Sequence, residues 1–252
     1  MNVIYFSGSG NTEHCVRLFS DFTGGKICSM EDKEKAMEII KLSEAFAIAY
    51  PIHYSNLPFI VRDFIKDAGS YLNGKEVFLI ATMGMFSGDG TGCGARLLKR
   101  YGSKILGGIH VQMPDSIGDV NLLKRNKETN RTIIDSAENK IKEAAEMIKQ
   151  NKYPKEGLHF YNLIAGLLGQ RLWFLHHVKK LRNALKVDSS KCTGCGLCAA
   201  HCPTSSLVLQ NGKAALKGTG CTICYRCMNS CPSKAITIIG KKVYEQCLFK
   251  YN

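Results

Sequence analysis

At 252 residues the chain has room for one large domain or two ordinary ones, with 45% hydrophobic residues to fill their cores. Its formal charge of +13 is uneven: residues 1–150 hold 19 Lys and Arg against 18 Asp and Glu, a net +1, and residues 151–252 hold 15 against 3, a net +12. No basic leader, long apolar stretch or cleavage site precedes the first strand, which argues against a small secreted disulfide scaffold and leads us to expect a reducing, cytoplasmic setting.

Residues 2–6 form a short apolar run that reads as a buried strand. Ser7-Gly8-Ser9-Gly10-Asn11-Thr12 follows directly, and residues 13–22 then place Val16, Leu18, Phe19 and Phe22 at helical spacing. A strand, a hydroxyl-rich glycine loop and a helix make a phosphate cradle, because loop N–H groups, hydroxyls and the helix N-terminus all face an anion. The loop lacks the Gly-Lys-Ser/Thr of a Walker motif and the G-x-G-x-x-G of a dinucleotide fingerprint. It also holds no Lys or Arg, so neutral dipoles would bind the phosphate.

Strands and helices then alternate. Residues 26–29, 45–50, 76–82 and 109–113 read as strands, and residues 34–42, 60–68, 91–101 and 132–150 as helices. Five strands with crossover helices predict an α/β, doubly wound parallel sheet.

The N-terminal loop resembles the FMN-phosphate loop of flavodoxins, whose pattern is T/S-x-T/S-G-x-T. That resemblance implies strand order 2-1-3-4-5 and FMN beyond strands one and three, where the topology switches direction. It assigns the phosphate to Ser7, Ser9, Gly10, Asn11 and Thr12. The loop after strand three, with Pro51, Ile52, His53 and Tyr54, is similar to the first ring-flanking loop, and His53 or Tyr54 is expected to stack on the isoalloxazine. The loop after strand four, with Met83, Gly84, Phe86, Ser87 and Gly88, is similar to the second. Asp89 is read as a helix N-cap. Residues 113–119 share the same sheet edge and are expected to wall the flavin without a chemical role.

Residues 151–190 join the halves. One reading is a connecting helix that buries Leu163, Ile164, Leu167, Leu168, Leu172 and Trp173 against a domain. The other is a basic amphipathic foot on a membrane surface, given His176, His177, Lys179, Lys180 and Arg182. The first is preferred, so no membrane partner is expected, and both histidines are placed in solvent. The apolar stretch is too short and too interrupted to span a bilayer.

The cysteine runs carry the most specific signal. Cys192, Cys195, Cys198 and Cys202 precede Pro203, and Cys221, Cys224, Cys227 and Cys231 precede Pro232, giving C-x2-C-x2-C-x3-C-P twice. Three thiolates two residues apart wrap one face of an iron–sulfur cube and aim backbone N–H groups at its sulfurs. The fourth ligates the cube of the other run. Cluster one therefore takes Cys192, Cys195, Cys198 and Cys231, and cluster two takes Cys221, Cys224, Cys227 and Cys202. Structural zinc uses four ligands, usually in separated pairs, and needs no third cysteine at this spacing. The stretch resembles a bacterial-type ferredoxin with two [4Fe-4S] clusters. Within it, residues 207–210 and 213–216 flank Asn211-Gly212 as a hairpin, and residues 235–239 add a strand. Cys15, Cys28, Cys93 and Cys247 lack ligand spacing and read as small apolar fillers.

The whole chain resembles the fused flavodoxin–ferredoxin proteins of anaerobic microbes. The boundaries expected are a flavodoxin-like FMN domain at 1–152, a helical linker at 153–184 and a small α+β, ferredoxin-like 2[4Fe-4S] domain at 185–252. The resemblance implies electron transfer between FMN, two [4Fe-4S] clusters and a redox partner. The basic C-terminal half favours an acidic partner such as a ferredoxin, a flavodoxin or a reductase. The alternative is a flavoenzyme that reduces a small-molecule oxidant with electrons fed through the clusters. A redox or iron sensor is a third reading, with no effector domain to support it. Nucleic acid is not expected, since no recognition motif accompanies the charge.

Overall fold

A computed structural model describes residues 1–218 and 220–249. Strands β1 (Asn2–Tyr5), β2 (Ile27–Ser29), β3 (Ala45–Pro51), β4 (Glu76–Met83) and β5 (Lys104–Gln112) form one parallel sheet in the order β2-β1-β3-β4-β5. Its central strands are apolar on both faces, as a sheet covered on both sides requires. Alternate side chains go to opposite cores. Ile4, Ile48, Tyr50 and Leu79 pack against α2 (Lys33–Leu42), α3 (Phe59–Asp67) and α4 (Gly90–Arg100). Val3, Ala47, Phe78 and Ile80 pack against α1 (Asn11–Thr23) and α5 (Lys127–Lys149).

β5 begins five residues earlier than the sequence suggests. Lys104 and the pair Gly107-Gly108 mask its apolar pattern, and Leu106 is skipped where Val77 pairs with Ile105 and Phe78 with Gly107. The glycines have a reason to be there. After α5 the chain returns along this edge strand, where Gly108 N–H donates to Pro154 O (2.7 Å) and Glu156 N–H to Gly108 O (2.9 Å). A Cβ on Gly107 would collide with Pro154 O. Helix α5 also starts five residues before its expected position, because Asn126 Oδ1 caps it by accepting from Thr129 N–H at 2.7 Å.

The linker is α6 (Phe160–Gly166) and α7 (Leu172–Arg182), joined by a π turn over Leu167–Arg171. It differs from the preferred reading. Ile164, Leu168, Leu172 and Trp173 are exposed, and the helix buries Gly166, Arg171, Phe174 and Leu181 instead. A charged residue displaces the apolar ones because it has a partner. Asp89 is 0% exposed and Arg171 7% exposed, and the guanidinium bonds both the Asp89 carboxylate and Ser55 O. Asp89 does stand at the start of α4, but its carboxylate makes no cap bond and pairs with Arg171 and Arg96 (2.5 Å). Gly88 and Gly166 let the two backbones approach, since a Cβ on either would strike the other segment. His176 is exposed, whereas His177 is half-buried and stacks on Trp173 with ring centroids 4.6 Å apart.

The C-terminal part holds two small antiparallel ladders. β6 (Lys186–Val187) pairs with β9 (Ile236–Thr237), and β7 (Leu207–Gln210) with β8 (Lys213–Leu216) around the Asn211-Gly212 turn. Short helices α8 (Leu197–Ala200) and α9 (Arg226–Ser230) follow the opening cysteines of each run. Its core includes Phe174, Leu181, Ile223, Met228 and Ile236, and Tyr54, Phe59 and Ile117 of the first half pack into it.

Replacing Arg171 by Ala strips Asp89 of its buried partner and leaves Ser55 O with only the Cys93 thiol as donor (3.6 Å). Urea unfolding should show a loss of about 3 kcal/mol. The apolar double replacement Asp89→Leu with Arg171→Met should recover most of it.

Candidate functional site

A cavity of about 390 Å³ opens at the C-terminal ends of β1, β3, β4 and β5, within the size range of small-molecule sites. Of the residues assigned to the phosphate loop, Ser7, Ser9, Asn11 and Thr12 line it and Gly10 does not. Gly10 takes φ 97 and lies against Phe249, whose N–H donates to Ser9 O at 2.8 Å. The Ser7 hydroxyl accepts from Gly10 N–H (3.1 Å) and Glu13 N–H (3.3 Å), holding the loop in an anion-ready curl. Thr12 and Thr82 share a hydroxyl bond of 2.7 Å. Asn11 donates to Pro114 O at 2.7 Å, tying the loop to the segment after β5.

Pro51, Ile52, His53 and Tyr54 line the cavity. Tyr54 and Ser55 hold positive φ angles of 52 and 56, an unusual pair of non-glycine left-handed residues in the loop after β3. One face of the Tyr54 ring is occupied by Phe174, stacked with centroids 5.0 Å apart and planes 11° apart. Burial pushes the Tyr54 phenol up to about 12 and the His53 imidazole down to about 4, so both rings are neutral near pH 7.

Met83, Gly84 and Phe86 line the cavity, whereas Ser87 and Gly88 turn away. Ser87 Oγ lies 2.8 Å from His110 Nδ1. Thr91 N–H donates to His110 Nε2 (3.2 Å), which makes Nδ1 the protonated nitrogen and Ser87 its acceptor. Burial lowers the His110 imidazole to about 4. Gly88 approaches Gly166 of the linker.

Several lining residues were not legible beforehand. Asp115, inside the expected wall at 113–119, lines the cavity with a carboxyl that burial holds above the usual range, a property its position did not announce. Val120, Leu123, Gln170 and Trp173 add the loop after β5 and the linker, and Ile223, Cys224, Tyr225 and Ile239 add the second cysteine region. Only the expected wall at 113–119 had a sequence signal, its position on the sheet edge. The others arrive by tertiary docking. Tyr225 is buried with no hydrogen-bond partner for its hydroxyl. Burial, with Asp119 next, holds that phenol far above its ordinary value, so it is a spare donor beside the cavity. Asp119 in turn clamps the last ladder, accepting on Oδ2 from the N–H groups of Ile238 (2.6 Å), Ile239 (2.9 Å) and Gly240 (3.0 Å).

Arg226 is the largest omission from the sequence reading. It lies inside the second cysteine run and reaches back to the phosphate loop, donating to Ser7 O (2.6 Å) and Gly8 O (3.3 Å). It also makes a two-pronged pair with Glu31 at 2.6 and 2.8 Å. Among the described residues no Lys or Arg lines the cavity itself. Arg226 therefore acts on the loop's carbonyls and is not among the residues that wall the cavity.

The cysteines assemble as two quartets. Cys192, Cys195, Cys198 and Cys231 line one cleft, and Cys202, Cys221, Cys224 and Cys227 line another. Backbone N–H groups point at four of these sulfurs: Ala214 to Cys192 (3.5 Å), Ala235 to Cys231 (3.4 Å), Ser206 to Cys202 (3.2 Å) and Ile223 to Cys221 (3.4 Å). Among the described residues no three His, Cys, Asp or Glu close around a single ion, as the bonds of about 2.3 Å in a zinc–thiolate site demand. Four thiols lining one cleft, with backbone N–H groups aimed at their sulfurs, is a donor set that suits a 4Fe-4S cube. Cys224 and Tyr225 belong to the wall of the flavin-sized cavity and to that of the second cleft. Gly8 makes the junction possible, because a Cβ there would collide with Cys224 O.

A flavodoxin domain model matches residues 2–105, and a 4Fe-4S binding domain model matches residues 185–208. This chain fuses a flavodoxin domain to a 4Fe-4S binding domain. Among solved structures, the chain is similar to the two-electron reduced flavodoxin of Megasphaera elsdenii (21% identity over 43% of this chain and 83% of that one, TM-score 0.39). It is also similar to the Fusobacterium nucleatum flavodoxin bound to flavin mononucleotide (16%, 60% and 97%, TM-score 0.43) and to flavodoxin 2 of Bacillus cereus (17%, 59% and 97%, TM-score 0.44). No curated protein matches.

Gly8→Ala should force the phosphate loop and the second cysteine run apart. Flavin titration should read a loss of about tenfold or more in affinity, or 1.4 kcal/mol. His110 is neutral in the folded state down to about pH 4, while its unfolded counterpart takes a proton near 6.5. Stability should therefore fall as pH drops through 6.5 and stop falling from this source near 4. His110→Gln should flatten that slope in urea titrations at pH 6.5 and 5.

Proposed function

We propose that this flavin and iron–sulfur protein passes electrons between FMN in the 390 Å³ cavity and two [4Fe-4S] clusters, and exchanges them with an external acidic redox protein. The observation that carries the reading is the shared wall: Cys224 and Tyr225 border both the cavity and the second cysteine cleft. A bound flavin takes two electrons and releases them singly, and each cluster carries one.

The chain's own residues give the route a direction in space. Cys195 is exposed and Cys192 half-exposed, so the quartet of Cys192, Cys195, Cys198 and Cys231 is the outer station. Cys221, Cys227 and the half-buried Cys224 belong to the inner one. Lys191, Lys213 and Lys234 lie in or next to the outer quartet's segments, with Lys213 Nζ donating to Cys192 O at 2.5 Å, which suits an acidic partner in the cytoplasm. Ser7, Ser9, Asn11 and Thr12 hold the phosphate. His53 and Tyr54 flank the ring on one side, and Gly84 and Phe86 flank it on the other. Ser87 and Gly88 support that second loop from behind.

A second reading draws on the mouth of the same cavity. Leu123 and Trp173, together with Met85 of the second ring-flanking loop, give the cavity an apolar rim, which suits a small-molecule oxidant reduced at the ring. Steady turnover of a small oxidant without a protein partner would favour it over the relay.

Anaerobic purification with a visible spectrum, flavin extraction and iron counting tests the cofactor assignment. Native protein should hold one FMN and about eight irons. Cys195→Ala and Cys224→Ala should each leave about four irons, and Cys224→Ala should also slow flavin reduction by the remaining cluster. Eight irons in either variant would overturn the ligand assignment. Raising salt should slow exchange with an acidic ferredoxin.

A further inference from the structure

We propose that the outer face of the linker helix docks on an anionic membrane surface. The face is continuous. Tyr161, Ile164, Leu168, Leu172 and Leu175 recur every three or four residues, and all of them point outward. Leu168 is 70% exposed, and Leu172 and Trp173 are each 51% exposed. Stripes of this size on a soluble surface mark a contact with something apolar. The next turn of the same face carries Lys179 and Lys180, both exposed.

Charge decides the occupant. No Asp or Glu occurs between Glu156 and Asp188, so every formal charge on the linker is positive. Arg171 and Arg182 are already committed, the first to Asp89 and the second to Cys221 O at 3.0 Å and to the face of Phe59. Lys179 and Lys180 are left facing outward. An apolar stripe that opens on Tyr161 with Trp173 beside its last turn, a cationic flank and no acid is the pattern of a helix lying in a lipid headgroup layer. The element is long enough to lie there but cannot cross: among the described residues no helix is long and apolar enough to span a bilayer. The helix also brings the cavity to the surface it touches, because Trp173 lines the cavity rim and Phe86 packs against Gly169 of the π turn. The preference for a buried linker fails on the exposures of these residues, and with it the reason for expecting no membrane.

The holoprotein should co-sediment with vesicles of phosphatidylcholine and phosphatidylglycerol and far less with phosphatidylcholine alone, and salt should weaken the binding. Brominated lipid should quench Trp173, the chain's single tryptophan. Leu168→Glu with Leu172→Glu should reduce vesicle affinity at least tenfold. Both side chains are already in solvent, so the flavin and iron content should stay as in the native protein. Lys179→Glu with Lys180→Glu should abolish the preference for anionic lipid. Three results would overturn the proposal: no co-sedimentation, co-sedimentation unchanged in the Leu168 and Leu172 variant, or a concentration-dependent dimer that this variant abolishes. The last would mean that the stripe is covered by a second copy. None of the three bears on whether the cavity holds FMN.

Discussion

The architecture depends on how closely two backbones meet. Gly8 has no Cβ, and Cys224 O occupies the space where one would be. Arg226, two residues further on, binds the carbonyls of Ser7 and Gly8 and pairs with Glu31. The same few residues close the second cysteine cleft, wall the cavity and set the orientation of the anion loop. The anion loop and the second cysteine run are thereby held at van der Waals contact. A flexible tether between the domains could not do so. The linker is instead bolted down by the Asp89–Arg171 pair, which is costly to desolvate and costly to break, and therefore specifies one docking geometry.

Much of this was legible from local pattern. The doubly wound class follows from alternating apolar runs, because parallel strands buried on both faces have little freedom in composition, and the strand order follows from the resemblance of the first loop to that of flavodoxins. Asn211-Gly212 announced its hairpin through the positive φ angles that the turn demands, and both residues have them. The cysteine spacing led to an expectation of two crossed quartets, and the eight thiols line two clefts four by four. The outer half of β5 was not legible, since two glycines placed for a passing chain look like a turn when read alone.

Partnership was the least legible feature. Arg226 reads as one of 34 cations in sequence, and nothing near it hints at Ser7. Asp89 stands where a cap residue stands, yet its bonds go elsewhere. The linker failed for a related reason. Helical periodicity marks an apolar stripe but does not say whether protein or something else covers it, and here a glycine, an arginine and two apolar residues took the inner face.

Ser7, at the head of the chain, waits for Arg226, 219 positions later, to complete its surroundings. Gly10 waits for Phe249. During synthesis, the sheet can assemble from the first 150 residues while its anion loop still lacks its back wall. The wall formed by Cys224 and Tyr225 closes over that loop only once the second cysteine run has docked.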